Sequence, residues 1–228
     1  HAPSYCDKAR AEAELGKKDE ALKNFEQAIK LKGDYVDAYY YRALLYHKLK
    51  DDKAIADFSK TIQLDPKKTD AYLKRGLYYY QNKQEQDALK DFNKAIELKT
   101  NNTDVYYYRG KIMVQKGNSV DALSDFNEVL KKNPMHNESL LERGKIYLKQ
   151  NKLEPAMKDF NSCVANRMNT EEIYAMRAEC YIQMGKFDDA LRDYNTLIDI
   201  FKTKDIKKPV ANTYATIKDI LGAFFDTP

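Results

Sequence analysis

Hydrophobic and polar positions recur along this chain with a period of 33 or 34 residues. In the clearest column an alanine is followed four residues later by an aromatic residue, as in Ala88 and Phe92. A second column places a small residue directly after a basic one, as in Arg75 and Gly76. The first column begins at Ala21, Ala54, Ala88, Ala122, Ala156 and Ala190, and the second at Lys8, Arg42, Arg75, Arg109, Arg143 and Arg177. Six copies at this spacing are typical of a repeat protein.

Each repeat predicts two helices. Mostly tyrosines stand three residues before and four residues after the basic position, and these offsets put them on one stripe of a helix. The first helix is predicted to end at Gly16, Gly117, Asn151 and Gly185, which tolerate the left-handed conformation, although Lys50 and Lys83 hold the matching place in the second and third repeats. Four first helices are predicted to begin with a capping side chain, from Thr69, Thr103, Asn137 and Thr170. Pro66 and Pro134 are predicted to close two second helices, while Pro155 fits the first turn of another.

On these columns, the chain resembles the tetratricopeptide repeat family over about residues 2–204. The resemblance implies an all-α fold, a right-handed α-solenoid of six helix-turn-helix units with a C-terminal capping helix. The units are expected at 2–35, 36–68, 69–102, 103–136, 137–170 and 171–204. Apolar residues at helical spacing after Pro209 predict the capping helix, 209–226, which would cover the apolar face of the last repeat; the alternative is that Phe224 and Phe225 form a contact for a partner.

The composition of the chain limits the classes of function that it can have. The formal charge is only +4 with 39 basic and 35 acidic residues, which argues against nucleic acid, and no apolar run is long enough for membrane insertion. The three histidines are far apart in the repeats, so we expect no catalytic site, no metal and no cofactor. Cys6, Cys163 and Cys180 are expected to be small buried residues in the cytoplasm, with a Cys163–Cys180 disulfide or a metal site as the alternatives. Because the chain begins at His1, we expect a piece of a longer protein.

The resemblance also implies a concave, peptide-binding surface lined by the first helices. The residues predicted to form it, outside the core stripe, are Tyr40, Tyr41, Leu44, His47, Leu73, Lys74, Leu77, Tyr80, Tyr107, Tyr108, Lys111 and Lys145. Tyrosine side chains are favoured at protein contacts because each combines a rigid ring with a hydroxyl group. The alternative is that the curved inner wall simply tolerates tyrosine.

Family members that hold the carboxylate tails of chaperones use Lys and Asn at the starts of first helices. Here those positions are acidic, at Asp37, Asp70, Asp104, Glu138 and Glu172, so a chaperone-adaptor role is disfavoured. We interpret the acids as helix-start residues, or alternatively as an acidic edge for a basic peptide.

The sequence therefore predicts a non-catalytic scaffold that binds a peptide or helix of a protein partner whose identity is unknown. Two alternatives stay open: a structural element of a multiprotein assembly that contacts its neighbours through its ends or convex face, and a regulatory arm of a larger enzyme. The arginines of the second column are matched one helix later by aspartates, which predicts a row of Arg–Asp pairs along the helix interface: Asp57, Asp91, Asp125, Asp159 and Asp193.

Overall fold

Twelve helices and no strand occupy residues 1–203, which are the part of the chain described by our computed structural model. The helices are α1 (Ala2–Glu14), α2 (Lys18–Leu31), α3 (Val36–Lys48), α4 (Lys53–Leu64), α5 (Thr69–Gln81), α6 (Glu85–Glu97), α7 (Asp104–Gln115), α8 (Ser119–Lys132), α9 (Asn137–Lys149), α10 (Leu153–Ala165), α11 (Glu171–Gln183) and α12 (Phe187–Thr203). They belong to two compact units, unit 1 (His1–Lys116) and unit 2 (Gly117–Pro228). The predicted capping helix, 209–226, lies outside the described residues.

Helices pair within each unit as the repeat pattern predicts. The pairs α1–α2, α3–α4 and α5–α6 pack in unit 1, and α9–α10 and α11–α12 pack in unit 2. Each second helix also packs against the first helix that follows it, as α2 does against α3 and α4 against α5. The all-helical, stacked-hairpin architecture is therefore confirmed. The division between the units falls inside the predicted repeat 103–136, whose pairing of helices stays a prediction.

The two sequence columns form the core. Phe25, Phe58, Phe92, Phe126 and Phe160 are all at most 1% exposed. The small column explains how the two helices of a repeat come so close. A Cβ atom placed on Gly76 would lie 2.7 Å from Cε1 of Phe92, and one on Gly144 would lie 2.6 Å from Cε1 of Phe160. Each buried phenylalanine stabilises the fold by roughly 1.5–3 kcal/mol through the apolar area that it removes from water.

The turn after each first helix uses the left-handed conformation, both at the four predicted residues and at the two lysines that hold the matching place. Gly16, Gly117 and Gly185 have φ values of 79°, 73° and 70°, and the non-glycine residues Lys50, Lys83 and Asn151 have values of 57°, 60° and 56°. The turn at Lys83 satisfies two carbonyl groups at the end of α5, because Lys83 N donates to the Tyr80 oxygen and Gln84 N donates to the Tyr79 oxygen. The second helices before the two predicted prolines end at Leu64 and Lys132, which confirms those boundaries as well.

The prediction of capping side chains was wrong. Thr103 and Thr170 occupy N-cap positions, but neither side chain accepts a capping hydrogen bond. The Thr170 hydroxyl oxygen is in fact buried without a hydrogen-bond partner. Thr69 is already the first helical residue of α5, and α9 is capped by Nδ1 of His136, which accepts from Ser139 N, rather than by Asn137.

Arginines of the second column form the predicted ion pairs wherever both partners lie in one unit. Each guanidinium holds both carboxylate oxygens of an aspartate on the second helix of the same repeat. Arg75 Nε and Nη2 lie 2.8 and 2.7 Å from the Asp91 oxygens. The same arrangement is found in Arg42–Asp57, Arg143–Asp159 and Arg177–Asp193. Two parallel charge-assisted hydrogen bonds make this contact both strong and geometrically specific.

The remaining guanidinium nitrogen, Nη1, reaches the second helix of the preceding repeat. Arg75 donates to Ser59 Oγ at 2.8 Å, and Arg109 to Asn93 Oδ1, also at 2.8 Å. In unit 2, Arg143 and Arg177 donate in the same way to Asn127 and Asn161. One arginine therefore joins two neighbouring repeats, a contact that was not predicted.

The first repeat is the exception. Lys8 and Asn24 replace the Arg and Asp of the other repeats, and Asn24 donates to Glu12 at 2.6 Å. Glu26 stands in the first repeat where the second repeat has Ser59, the residue that accepts a hydrogen bond from Arg75. The charge of Glu26 acts on Arg42 and helps to raise the pKa of its guanidinium. Among the hydrogen bonds found in residues 1–203, none joins Arg42 to the second helix of the first repeat.

The aspartates should contribute more to stability than exposed acids. Asp159→Ala leaves the Arg143 guanidinium, whose side chain is 19% exposed, without its carboxylate, and we expect the free energy of unfolding to fall by about 3 kcal/mol in urea denaturation. As a control, Glu97→Ala removes an exposed ion pair with Lys94 and should leave stability nearly unchanged. Equal effects of the two substitutions would contradict the structural role of the Arg–Asp pairs.

Glycine should be preferred at the left-handed lysines. Lys83→Gly should raise the free energy of unfolding by about 0.5–1 kcal/mol, because glycine adopts a φ of 60° without steric cost. The matched reverse change, Gly117→Lys, should lower it by a similar amount, as measured by thermal and urea denaturation. A loss of stability in Lys83→Gly would show that the lysine side chain contributes to the turn.

All three cysteines are free and buried, which confirms the expected small core residues and excludes the Cys163–Cys180 disulfide. Burial raises the pKa of each thiol from 9.0 to about 11. The unfolded chain thus loses its thiol protons at lower pH than the folded chain. The stability that the folded state gains by keeping its thiols protonated is complete below pH 9 and is lost as the pH rises to about 11.

We expect a thiol-specific dye at about pH 8 to label the protein only at the rate of unfolding, because all three thiols are buried. Rapid labelling of the folded protein would show that a thiol is accessible.

Candidate functional site

First helices form one face of unit 1. Helix α1 contacts α3, α3 contacts α5, and α5 contacts α7, while the second helices α2, α4 and α6 pack between them on the other side. We call the face formed by α3, α5 and α7, on the side away from the second helices, the groove. Eleven of the twelve predicted site residues belong to these three helices, and Lys145 belongs to α9 in unit 2.

Three predicted groove residues are buried, so placing them outside the core was wrong. Leu73 is completely buried in the cluster that contains Phe92, and Leu77 is 9% exposed in the same cluster. Tyr40 is also 9% exposed, with its ring centroid 6.1 Å from that of Phe58. The other predicted residues of the groove are partly exposed: Tyr41, Leu44, His47, Lys74, Tyr80, Tyr107, Tyr108 and Lys111.

A row of tyrosine rings crosses from α5 to α7. The centroid of Tyr108 lies 5.2 Å from Tyr80 and 5.1 Å from Tyr107, both in edge-to-face geometry. Tyr108 also stacks over the core residue Phe92, with centroids 6.3 Å apart. Such pairs are worth about 0.5–1.5 kcal/mol beyond the area that they bury, so these rings are held in place before any partner binds.

Tyr41 on α3 is covered from the side of α1. The Arg10 guanidinium carbon lies 4.1 Å from the Tyr41 ring centroid, a cation–π contact. On the preceding residue of α3, Lys68 lies 4.8 Å from the Tyr40 centroid, and it also forms an ion pair with Asp37 at 3.1 Å. Arg10 and Lys68 were missed because the sequence pattern was followed within repeats, whereas these contacts join neighbouring repeats.

His47 is fixed by α5. Its Nε2 lies 3.0 Å from Gln81 Oε1, and its ring is 5.4 Å from that of Tyr78. The Tyr78 hydroxyl donates to Asp52 Oδ1 at 2.6 Å. Burial and this hydrogen bond raise the pKa of Tyr78 to about 12, so the hydroxyl stays protonated at neutral pH. His47 is therefore a packed wall residue with two partners rather than an isolated base.

The acidic residues of the first helices lie at the helix starts, as we interpreted them from the sequence. Asp37, Asp70 and Asp104 all lie in the first turn of their helices. Asp70 is exposed, and burial together with its charge raises the pKa of Tyr40 to about 12. An acid in a first turn is stabilised by the positive end of the helix, which accounts for its position without a ligand.

Lys145 is committed to ion pairs within unit 2. Its ammonium group lies 2.5 Å from Glu172 and 3.3 Å from Glu142. Partial burial lowers the pKa of Lys145, but its bond to Glu172 and the charge of Glu142 outweigh that effect and raise the pKa overall. A ligand that used Lys145 would have to displace these carboxylates.

The sequence patterns did not reveal a pocket between α1 and α3. It has a volume of about 250 Å³ and is lined by Arg10, Ala13, Glu14, Phe25, Tyr41, Leu44, Leu45 and Lys48. Tyr41 and Leu44 belong to the groove as well, so the pocket adjoins the groove at α3. Because the groove was predicted from the second repeat onward, the α1 side of this pocket was not considered.

Within residues 1–203, no group of three or more His, Cys, Asp or Glu side chains is placed to hold a metal ion. Over the same residues, no helix is both long enough and apolar enough to cross a bilayer.

Family profiles of tetratricopeptide repeats match most of the chain. The matched segments are 9–50 and 77–117, 37–68, 108–168 and 171–203. No protein of curated function matches the sequence.

Solved structures with the same fold are distant in sequence. One is YrrB, described as a TPR protein with an unusual peptide-binding site: it is 20% identical, the match covers 86% of this chain and 97% of YrrB, and the TM-score is 0.72. Pseudomonas aeruginosa PilF is 15% identical over 94% of this chain and 97% of its own, with a TM-score of 0.78. The APC/C hetero-tetramer Cut9–Hcn1 contains a chain that is 15% identical, with 97% of this chain and 43% of that chain covered and a TM-score of 0.66.

Proposed function

The chain belongs to the tetratricopeptide repeat family, and we propose that it binds an extended segment or a short helix of a partner protein in the groove of unit 1. Proteins of this family bind other proteins, and some do so within larger assemblies. The observation that carries the proposal is the row of partly exposed rings in which Tyr108 contacts both Tyr80 and Tyr107.

Physical properties of this row suit a protein contact. Binding normally costs about 0.5–1.5 kcal/mol for each flexible side chain that becomes ordered. The contact between Tyr80 and Tyr108, and the stacking of Tyr108 on Phe92, have already ordered these rings. A partner then gains the apolar area of the rings at little additional entropic cost. The hydroxyl groups can exchange hydrogen bonds with a peptide backbone.

The proposed site consists of the partly exposed residues of α3, α5 and α7. Tyr80, Tyr107 and Tyr108 supply ring surface, Tyr41 and Leu44 extend it along α3, and Lys74 and Lys111 add positive charge. The buried residues Tyr40, Leu73 and Leu77 act by supporting this surface. That YrrB is described as having a peptide-binding site is consistent with the proposal, although a likeness at 20% identity concerns the fold.

Selection from a randomised peptide display library on the full chain would supply the ligands for a test. Tyr80→Ala combined with Tyr107→Ala removes two exposed rings while leaving Tyr108 in place over Phe92. If these rings are anchors, the binding free energy should fall by at least about 2 kcal/mol, which fluorescence titration would show as an increase of about thirtyfold in the dissociation constant. A cooperative thermal unfolding transition should show that the double variant is still folded.

A matched control is available in unit 2. Tyr147→Ala removes a partly buried tyrosine that flanks Arg143 at 5.9 Å and lies outside the groove, so it should leave peptide affinity unchanged. If the groove double variant binds the selected peptides as tightly as the control does, the contact lies elsewhere and the proposal fails.

A further inference from the structure

The same position over the core phenylalanine is filled in two repeats of unit 1 and open in another. In the second repeat, the His47 ring lies 6.4 Å from Phe58 and 5.4 Å from Tyr78. In the third repeat, Phe92 is covered by Tyr108 of the following helix α7, and Tyr108 contacts Tyr80, which stands at the place of His47. In the first repeat, the corresponding space beside Phe25 is the pocket of about 250 Å³.

The opening has a cause in the sequence. Ala13 stands at the place in the repeat that is otherwise occupied by larger side chains, namely His47, Tyr80, Val114, Leu148 and Ile182. Ala13 lines the pocket, and its methyl group leaves unfilled the volume that the His47 ring takes up beside Phe58 in the second repeat. An apolar cavity of about 150 Å³ can hold a benzene molecule. The pocket beside Ala13 is therefore large enough for a leucine or phenylalanine side chain.

The wall of this pocket combines apolar and charged side chains. Phe25, Leu45 and Ala13 supply carbon surface, and Arg10 and Lys48 bring two positive charges against the single negative charge of Glu14. Arg10 packs on the Tyr41 ring and contacts Asp7 at 3.4 Å in an exposed, weak ion pair. Among the ion pairs found in residues 1–203, none includes Lys48 or Glu14. The net charge of the wall favours a ligand with a negative group beside its apolar one.

We propose that the pocket beside Ala13 is an anchor site for one large apolar side chain, leucine or phenylalanine, of a partner segment that carries Asp or Glu next to it. The apolar side chain replaces the ring that this repeat lacks and contacts Phe25 and Leu45. The neighbouring carboxylate lies at the rim, near Lys48 and Arg10. This inference rests on the proposed function in one respect, since the rest of the segment continues along the groove from Tyr41 and Leu44.

Filling the pocket from within the chain tests the proposal. Ala13→Leu introduces the residue found at the same place in the fifth repeat, Leu148, and the added methyl groups occupy the volume that the ligand would take. The control is Ala11→Leu, which makes the same change at an exposed position of the same helix. Peptides are selected from a randomised display library on the full wild-type chain, and their affinities for each variant are measured by fluorescence titration.

The expected result is a loss of at least about thirtyfold in Ala13→Leu and no change in Ala11→Leu. Filling the cavity should leave the melting temperature equal or higher, so a loss of binding would not reflect unfolding. If Ala13→Leu is less stable than the wild type, it is replaced by Ala13→Val, which introduces the smaller residue that the fourth repeat has at this place, Val114. The peptides that fail to bind Ala13→Leu should share a leucine or phenylalanine beside Asp or Glu. The same peptides should also bind Lys48→Glu more weakly than they bind the wild-type chain.

Two outcomes would overturn the proposal: that every selected peptide keeps its affinity for Ala13→Leu, or that the affected peptides carry Lys or Arg beside the apolar residue. The two proposals fail separately. If the Tyr80→Ala, Tyr107→Ala variant weakens binding and Ala13→Leu does not, the groove is the site and the anchor pocket is refuted. If only Ala13→Leu weakens binding, the pocket is the site and the groove proposal is refuted.

Discussion

The guanidinium groups of the second sequence column determine how the helices of this protein fit together. In Arg75, two nitrogens hold Asp91 on the paired second helix, and the third holds Ser59 on the second helix of the preceding repeat. The Tyr79 ring lies 6.0 Å from the same group. A planar side chain with donors in fixed directions can make all these contacts only at one relative position of the three helices. A lysine, which carries a single point charge, could not specify that position in the same way.

This arrangement separates stability from recognition. The pairs Arg42–Asp57 and Arg75–Asp91 lie between first and second helices, so the charged contacts of the scaffold are directed toward the second helices. The opposite side of the first helices then carries residues that the scaffold does not need for pairing. Position by position along that side, the repeats differ, as Ala13, His47 and Tyr80 show. A change there alters the proposed binding surface while the Arg–Asp contacts keep the helices in place.

The sequence predicted the fold well because the repeats constrain each other. Lys83 by itself carries no turn signal, but its register with Gly117 marked the end of the first helix, and the structure shows that it takes the same left-handed conformation. Helix caps were predicted less well, because a capping bond depends on a rotamer that the residue type does not determine. At α9 the neighbouring His136 makes that bond instead of Asn137.

The candidate site was predicted only in part, for a geometric reason. Helical periodicity assigns a residue to a stripe, but it does not show how much of that stripe the next repeat covers. Tyr40, Leu73 and Leu77 were placed on the open side, but they are buried in clusters that combine residues of their own repeat and of the next one. The pocket beside Ala13 depends on a missing side chain, so it can be recognised only when all six repeats are compared at the same position.

The first repeat has a further consequence for mechanics. There, Lys8 and Asn24 replace the arginine and aspartate, and Glu26 stands where Ser59 accepts a bond from the next arginine. The joint between α2 and α3 thus lacks the cross-link that ties the later repeats together. In a row of repeats coupled to their nearest neighbours, the joint with the weakest coupling yields first under load. The joint of unit 1 that lacks this cross-link is also the one beside the pocket at Ala13, so a small change in the angle between α2 and α3 would alter the width of the proposed anchor site.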